Sequence, residues 1–336
     1  MFTKFYFQNM ISWRFIVLSG AFLPGAMAGA VTCTTQSQMT DAQRTAYVQT
    51  VHTLSTEIQA GNAAAVKANT IASVAAQFDS IAATIQSIAR DMQGANVTIQ
   101  NLYSLNAADL KAAADTQFFC SVPGAQMIVT VSLSQLPPGN YALALVHSTG
   151  AKAQQMALIL ANDPAGSTQW KLAGFYVRPL AVAAHDSVWY WTRAREYAQK
   201  KQQWNAYFYY QTAAYLSAPA DFISSPNLEK LQKEMDAVRP DGLPGNDPMT
   251  ITANGQNYAI TNFHTDGSLG QLDLVVNYKT TDVSDPVATR SRNIDVMKAL
   301  LTQHPELREG FHGLWVYANA ENQRPFGIEQ PMNQIQ

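Results

Sequence analysis

Tyr141-Ala142-Leu143-Ala144-Leu145-Val146-His147-Ser148 sets Tyr141, Leu143 and Leu145 against Ala142, Ala144 and Val146. A period of two marks a strand, because successive side chains point to opposite faces. Other extended segments flank it. Upstream, Ala95 to Tyr103 alternates through Val97 and Ile99, Phe118-Phe119-Cys120 is extended, and Met127-Ile128-Val129-Thr130-Val131 predicts another strand. Between them Asn106 reads as the cap of a short helix, Ala107 to Asp115. Pro137-Pro138-Gly139-Asn140 predicts a turn. Downstream, Met156 to Leu160 and Trp170 to Val177 are strands, separated by a turn at Asp163-Pro164-Ala165-Gly166 and closed by Pro179. Farther upstream the period becomes helical. Ala42, Ala46, Val48, Val51, Leu54 and Ile58 predict a helix over 38–60, stopped by Gly61-Asn62. Val66, Ile71, Val74, Phe78, Ile81, Ile85 and Ile88 continue to Met92 as a second helix, bent near Asp79-Ser80 and ended by Gly94.

The order is helix, helix, strand, short helix, then about four antiparallel strands. It resembles the nuclear-transport-factor-two-like fold, the cystatin-like cone of curved sheet closed by helices. Trp170-Lys171-Leu172-Ala173-Gly174-Phe175-Tyr176 is similar to the last strand of many exported members. The resemblance implies a pocket whose inward residues include Phe78, Tyr103, Phe119, Tyr141 and Tyr176. These carry no acid–base pair, so a filled core is expected, with a small apolar ligand as the alternative. The fold hosts enzymes, ligand binders and scaffolds, so it does not decide function.

Residues 183–238 differ in character: ten of the twenty-seven residues from Trp189 to Tyr215 are aromatic. They read as a helical hairpin, Asp186 to Gln199 and Trp204 to Leu216, followed by a third helix from Asn227 to Val238. The hairpin resembles a single tetratricopeptide repeat, with Ala194, Ala206 and Ala213 at the crossing and Tyr190, Tyr197 and Tyr210 beside them. The resemblance implies a recognition face on the first helix carrying Trp191, Arg195 and Gln199, which lie four residues apart and share one side. Residues 239–248, rich in Pro and Gly, read as a linker. Beyond them 249–336 predict a small α+β module of no recognised family. It has a hairpin around Asn254-Gly255, strands at Leu272 to Tyr278 and Gly313 to Ala318, a helix from Val287 to His304, and a short strand at Phe326 to Glu329. The fold class is α+β throughout: an N-terminal domain over 31–182, a central helical hairpin, and the small C-terminal module.

Lys4 and Arg14 precede a short apolar run from Phe15 to Phe22, and the small residues Ala26-Met27-Ala28-Gly29-Ala30 follow. This reads as a signal peptide over 1–30, cleaved after Ala28 or Ala30, with Met10 as an alternative start. The run is shorter than the ~20 residues a bilayer needs and Pro24 interrupts it, so no transmembrane span is expected in the mature chain. The expected location is periplasmic or extracellular. Of 336 residues 14% are charged and the net charge is −2, which leaves no basic field for nucleic acid. Two cysteines, Cys33 and Cys120, predict a disulfide in an oxidising compartment. The alternatives are a lipid anchor at Cys33, against which Thr32 argues, and two free thiols.

No motif identifies a reaction. There is no Gly-x-Ser-x-Gly elbow and no phosphate-cradling glycine loop. The six histidines have no dense metal spacing; His264-Thr265-Asp266 comes closest and reads as a surface turn. No cofactor is expected. The favoured reading is a non-enzymatic exported protein that binds another protein or an envelope component through Trp191, Arg195 and Gln199. The alternative is a small-molecule binder or hydrolase-like enzyme using the cone's pocket.

Overall fold

The computed structural model describes residues 31–121, 128–150, 152–162 and 169–336. The expected signal peptide, Met127 and the turn at 163–166 lie outside them. The chain is α+β and divides into two compact units. The first holds the described residues up to 150 with Met156–Tyr176, and the second Lys152–Gln155 with Val177–Gln336.

The first unit begins with β1 (Thr32–Thr35) and α1 (Asp41–Gln59). Thr40 opens α1 with a reciprocal cap: Gln43 N–H donates to the Thr40 hydroxyl, and the Gln43 side chain accepts from Thr40 N–H. Tyr47, Val51, Leu54 and Ile58 form the buried stripe of α1. The expected second helix is instead three: α2 (Ala63–Ala68), α3 (Ala72–Ala75) and α4 (Asp79–Ala89). The break has a distant cause. Ile71 N–H donates to Leu172 O at 2.9 Å and Leu172 N–H to Asn69 O at 2.8 Å, so the backbone at 69–71 leaves the helix to bond a strand a hundred residues on.

The strands are β2 (Val97–Asn106), β3 (Ala114–Cys120), β4 (Val129–Leu136), β5 (Asn140–Ser148), β6 (Gln154–Asn162) and β7 (Trp170–Pro179). One sheet runs β1-β2-β5-β6-β7, while β3 and β4 pair as an antiparallel hairpin. The expected helix at 107–115 is absent. Asn106 does accept from Ala108 N–H at 2.9 Å, but Ala107 exchanges backbone bonds with Gly139 and Ala114 already belongs to β3. Phe78, Tyr103 and Tyr141 are buried, as expected of inward residues. Phe119 is 62% exposed, because the period of two turns its neighbours Phe118 and Cys120 inward; Tyr176, near the end of β7, is 42% exposed.

Cys33 and Cys120 form a disulfide with Cα atoms 5.1 Å apart, inside the range such bridges require. It fastens β1 to β3 and leaves Cys33 no thiol for a lipid anchor.

The second unit opens with the two-residue strands β8 (Ala181–Val182) and β9 (His185–Asp186). Next come α5 (Ser187–Gln199), α6 (Gln203–Ser217), β10 (Ile223–Ser224) and α7 (Pro226–Ala237). Asp186 accepts from Trp189 N–H at 2.8 Å to cap α5, and Ser225 caps α7 ahead of Pro226. Then follow β11 (Met249–Ala253), β12 (Gln256–Asp266), β13 (Asp273–Lys279), α8 (Pro286–Gln303), α9 (Leu307–Gly310), β14 (Gly313–Asn319) and β15 (Phe326–Pro331). Asn254 and Gly255 both take positive φ, 50° and 73°, as the tight β11–β12 turn demands. The sheet runs β11-β12-β13-β14-β15, antiparallel except for β13 and β14, which lie parallel with α8 as their crossover.

One continuous core joins these parts. Tyr190, Ala194, Ala206, Phe208 and Ala213 of the hairpin pack in the same cluster as Ile260, Val276, Leu300 and Val316. Residues 183–238 and 249–336, expected as separate modules, share this core: the sheet and α8 complete the burial that the hairpin needs. α6 is buried almost all round, from Trp204 through Tyr210, so it is a central helix.

The disulfide closes a loop between residues 87 apart, which in the chain-entropy model stabilises by about 4–5 kcal/mol. Replacing Cys33 and Cys120 by serine together is expected to lower the unfolding free energy by an amount of that order, measured by urea denaturation against the oxidised wild type. An unchanged midpoint would show that the bridge adds no stability.

Candidate functional site

The three residues expected to form a recognition face do lie along one side of α5, but two of them are already engaged. Trp191 Nε1 donates to Glu234 Oε2 of α7 at 2.8 Å. Arg195 grips the same carboxylate with two bonds, Nε to Oε2 and Nη2 to Oε1, both 2.7 Å. Its guanidinium also lies over the Trp191 ring, 4.7 Å from the centroid. The Tyr210 hydroxyl of α6 donates to Glu234 Oε2 at 3.2 Å. One carboxylate therefore ties α5, α6 and α7 together. Trp191 is half-buried against the core, whereas Arg195 keeps 44% of its side chain exposed and Gln199, one turn on, is exposed.

Arg195 chiefly, then Trp191 and Tyr210, hold the Glu234 carboxyl down to about 2 against burial, which works the other way. Burial, and then Glu234 itself, pushes Tyr210 up to about 12. No local pattern marks Glu234, because its partners lie 24, 39 and 43 residues away on two other helices.

A second cluster lies on the sheet. The buried core takes Leu274, Val276 and Tyr278 of β13 with Leu314, Val316 and Ala318 of β14. The alternate residues therefore share the opposite face: Asp273, Val275 and Asn277 on β13, Gly313, Trp315 and Tyr317 on β14, and Glu329 on β15 beside Trp315. At one end of this face Asp273, Glu329 and the adjoining His312 each offer a ligand atom, all within 4.8 Å of one another. Asp273 is buried; His312 Nδ1 stands 3.4 Å from its Oδ1, and Trp315 Nε1 donates to its Oδ2 at 3.2 Å. Burial and then the neighbouring Asp273 raise the Glu329 carboxyl, with His312 opposing.

His264 belongs to β12 and not to a surface turn, and burial lowers its pKa. Its neighbour Thr265 shares a hydrogen bond with Thr212 of α6 at 2.9 Å. Burial likewise lowers His147 and His304. Among the described residues, His312 alone of the histidines joins a group of three potential metal ligands. No spacing motif reveals that group, since its members come from β13, the residue just before β14, and β15; the only sequence signal is the paired strand register, which needs the fold first. No helix among the described residues is long and apolar enough to cross a membrane.

Comparison of the chain with protein-family models, curated proteins and solved structures finds no match.

The lowered pKa of Glu234 sets a pH dependence. A carboxyl depressed in the folded state stabilises fully above its ordinary value of 4.5, and that contribution is lost as pH falls toward about 2. Thermal melts from about pH 5 down to pH 2 are expected to show a shallower loss of stability in Glu234→Gln than in wild type. Equal slopes would mean that Glu234 titrates normally.

Proposed function

We propose that the chain is an exported, non-enzymatic binding or scaffold protein that contacts another protein or an envelope component through α5. In this reading the first unit is a nuclear-transport-factor-two-like domain, and α5–α6 a single tetratricopeptide-like hairpin. The observation that carries it is the bracing of Arg195 by Glu234 and Trp191. A long side chain left in solvent ordinarily loses rotamer freedom when a partner binds. Here that freedom is already restricted while much of the guanidinium stays accessible. Arg and Trp are also the residue types most enriched at binding hot spots. Val188, 65% exposed in the first turn of α5, and Gln199 at its end extend the same helix as a contact surface. The disulfide supports an oxidising compartment.

A second reading, ligand binding or hydrolysis by the first unit, draws on an open cleft of about 530 Å³ lined by Thr35, Gln36, Arg44, Asn101, Tyr103 and Val129. Among the described residues that line it Arg44 is the one charged group, and Arg44 pairs with Asp41. The cleft fits a small ligand better than acid–base chemistry.

The binding reading is tested with immobilised protein and an envelope extract. Arg195→Ala and Gln199→Ala are each expected to reduce partner retention by roughly 5–30-fold, the effect of losing ~1–2 kcal/mol, with melting temperatures within a few degrees of wild type. Ala206→Trp, which overpacks the helix crossing at a cost of ~1–3 kcal/mol, serves as the destabilised comparator. Wild-type retention by both alanine variants would remove α5 as the contact surface.

A further inference from the structure

We propose that Asp273, His312 and Glu329 form a binding site for a first-row divalent transition ion, for which zinc is the natural probe. The first support is convergence. The three residues come from β13, from the residue just before β14, and from β15, yet one ligand atom from each falls within 4.8 Å of the others. Their main chains are fixed where they meet: His312 N–H donates to Leu272 O at 2.9 Å, and Met332 N–H donates to His312 O at 2.8 Å.

The second support is independent of the ligands. Gly313 sits between the two carboxylates, and a Cβ there would lie 2.5 Å from Glu329 Oε1 and 2.9 Å from Asp273 Oδ1. Both distances are shorter than non-bonded atoms tolerate. The glycine leaves room on the strand for both carboxylates to approach the same point.

The third support is charge. Asp273 keeps only 2% of its side chain exposed, and its partners are the Trp315 indole and His312. Among the described residues no lysine or arginine forms an ion pair with Asp273 or Glu329. Two carboxylates this close repel one another, and a buried charge is costly unless it is paired or binds a metal. A divalent cation neutralises both carboxylates, which a single imidazolium at His312 can only half offset.

The donor set narrows the ion. Two carboxylates alone suit magnesium, calcium or manganese, and imidazole shifts the preference toward zinc and its neighbours. Ligands about 2.0–2.2 Å from a tetrahedral zinc lie about 3.3–3.6 Å apart, a separation that His312 Nδ1 and Asp273 Oδ1, at 3.4 Å, already have. His312 has 54% of its side chain exposed, which leaves the imidazole room to adjust toward Glu329. Trp315 holds one oxygen of Asp273, the role that outer hydrogen bonds play around metal ligands. Three protein ligands leave a coordination position for water. His312 also borders an open cavity of about 370 Å³ beside Arg308, Phe311 and Met332, which gives an incoming ligand a route.

Calorimetric titration of zinc chloride into the full chain, free of any polyhistidine tag, tests the site. The expected result is one ion per chain, with a raised melting temperature in its presence. His312→Ala and Glu329→Gln remove ligands that are not in the core, so both variants should fold. Each is expected to weaken zinc binding on the order of 100-fold or more, a larger loss than the 10–100-fold typical of an outer-shell partner. His52→Ala, on the exposed side of α1, is expected to bind like wild type. No saturable binding, or equal affinity in wild type, His312→Ala and Glu329→Gln, would overturn the proposal. Neither result bears on α5, whose variants are read by partner retention.

Discussion

Helix α6 carries polar groups into the core, and several of them bond other elements there. The Tyr209 hydroxyl donates to Gly310 O at 2.6 Å, and that of Tyr210 to Glu234. Arg239 donates to the Tyr207 oxygen at 3.0 Å, and the Asn205 amide donates to Glu306 O at 2.6 Å. Thr212 meets Thr265 on β12. A buried hydroxyl without a partner costs about 1–3 kcal/mol, so each of these bonds selects one position for the element it reaches. α7, β12, α9 and the segment after α7 are all placed by the polar atoms of one helix. Apolar contact alone tolerates sliding; this set of donors and acceptors does not.

That constraint explains how much of the second unit was legible in the sequence. The caps Asp186 and Ser225, the Asn254-Gly255 turn and the apolar stripes act over a few residues, and the expected elements appear close to where they were read. Two expectations in the first unit failed because the deciding partner is remote. The helix over 66–92 yields at 69–71 to Leu172, and the helix over 107–115 yields to Gly139. Local propensity at an alanine-rich segment was overridden by backbone bonds that no window of sequence contains.

The candidate sites divide the same way. That Trp191, Arg195 and Gln199 share a side of α5 follows from helical geometry alone. That Glu234 receives two of them depends on how α7 packs. Asp273, His312 and Glu329 lie farther still from any local rule. Their meeting requires the parallel pairing of β13 with β14 across α8, followed by the return of β15.

The disulfide of the first unit also bears on how the chain matures. The sequence holds two cysteines and no others. A protein with several thiols samples wrong pairings, and slow reshuffling must correct them. Here oxidation within one molecule has a single product, so folding outside a reducing compartment needs a thiol oxidant but no isomerase to rearrange bridges. The competing error is a bond between two molecules, which depends on concentration. Cys33 precedes its partner by 87 residues. In any vectorial passage from the N-terminus, the interval before Cys120 emerges is the one in which a crowded chain is exposed to that error.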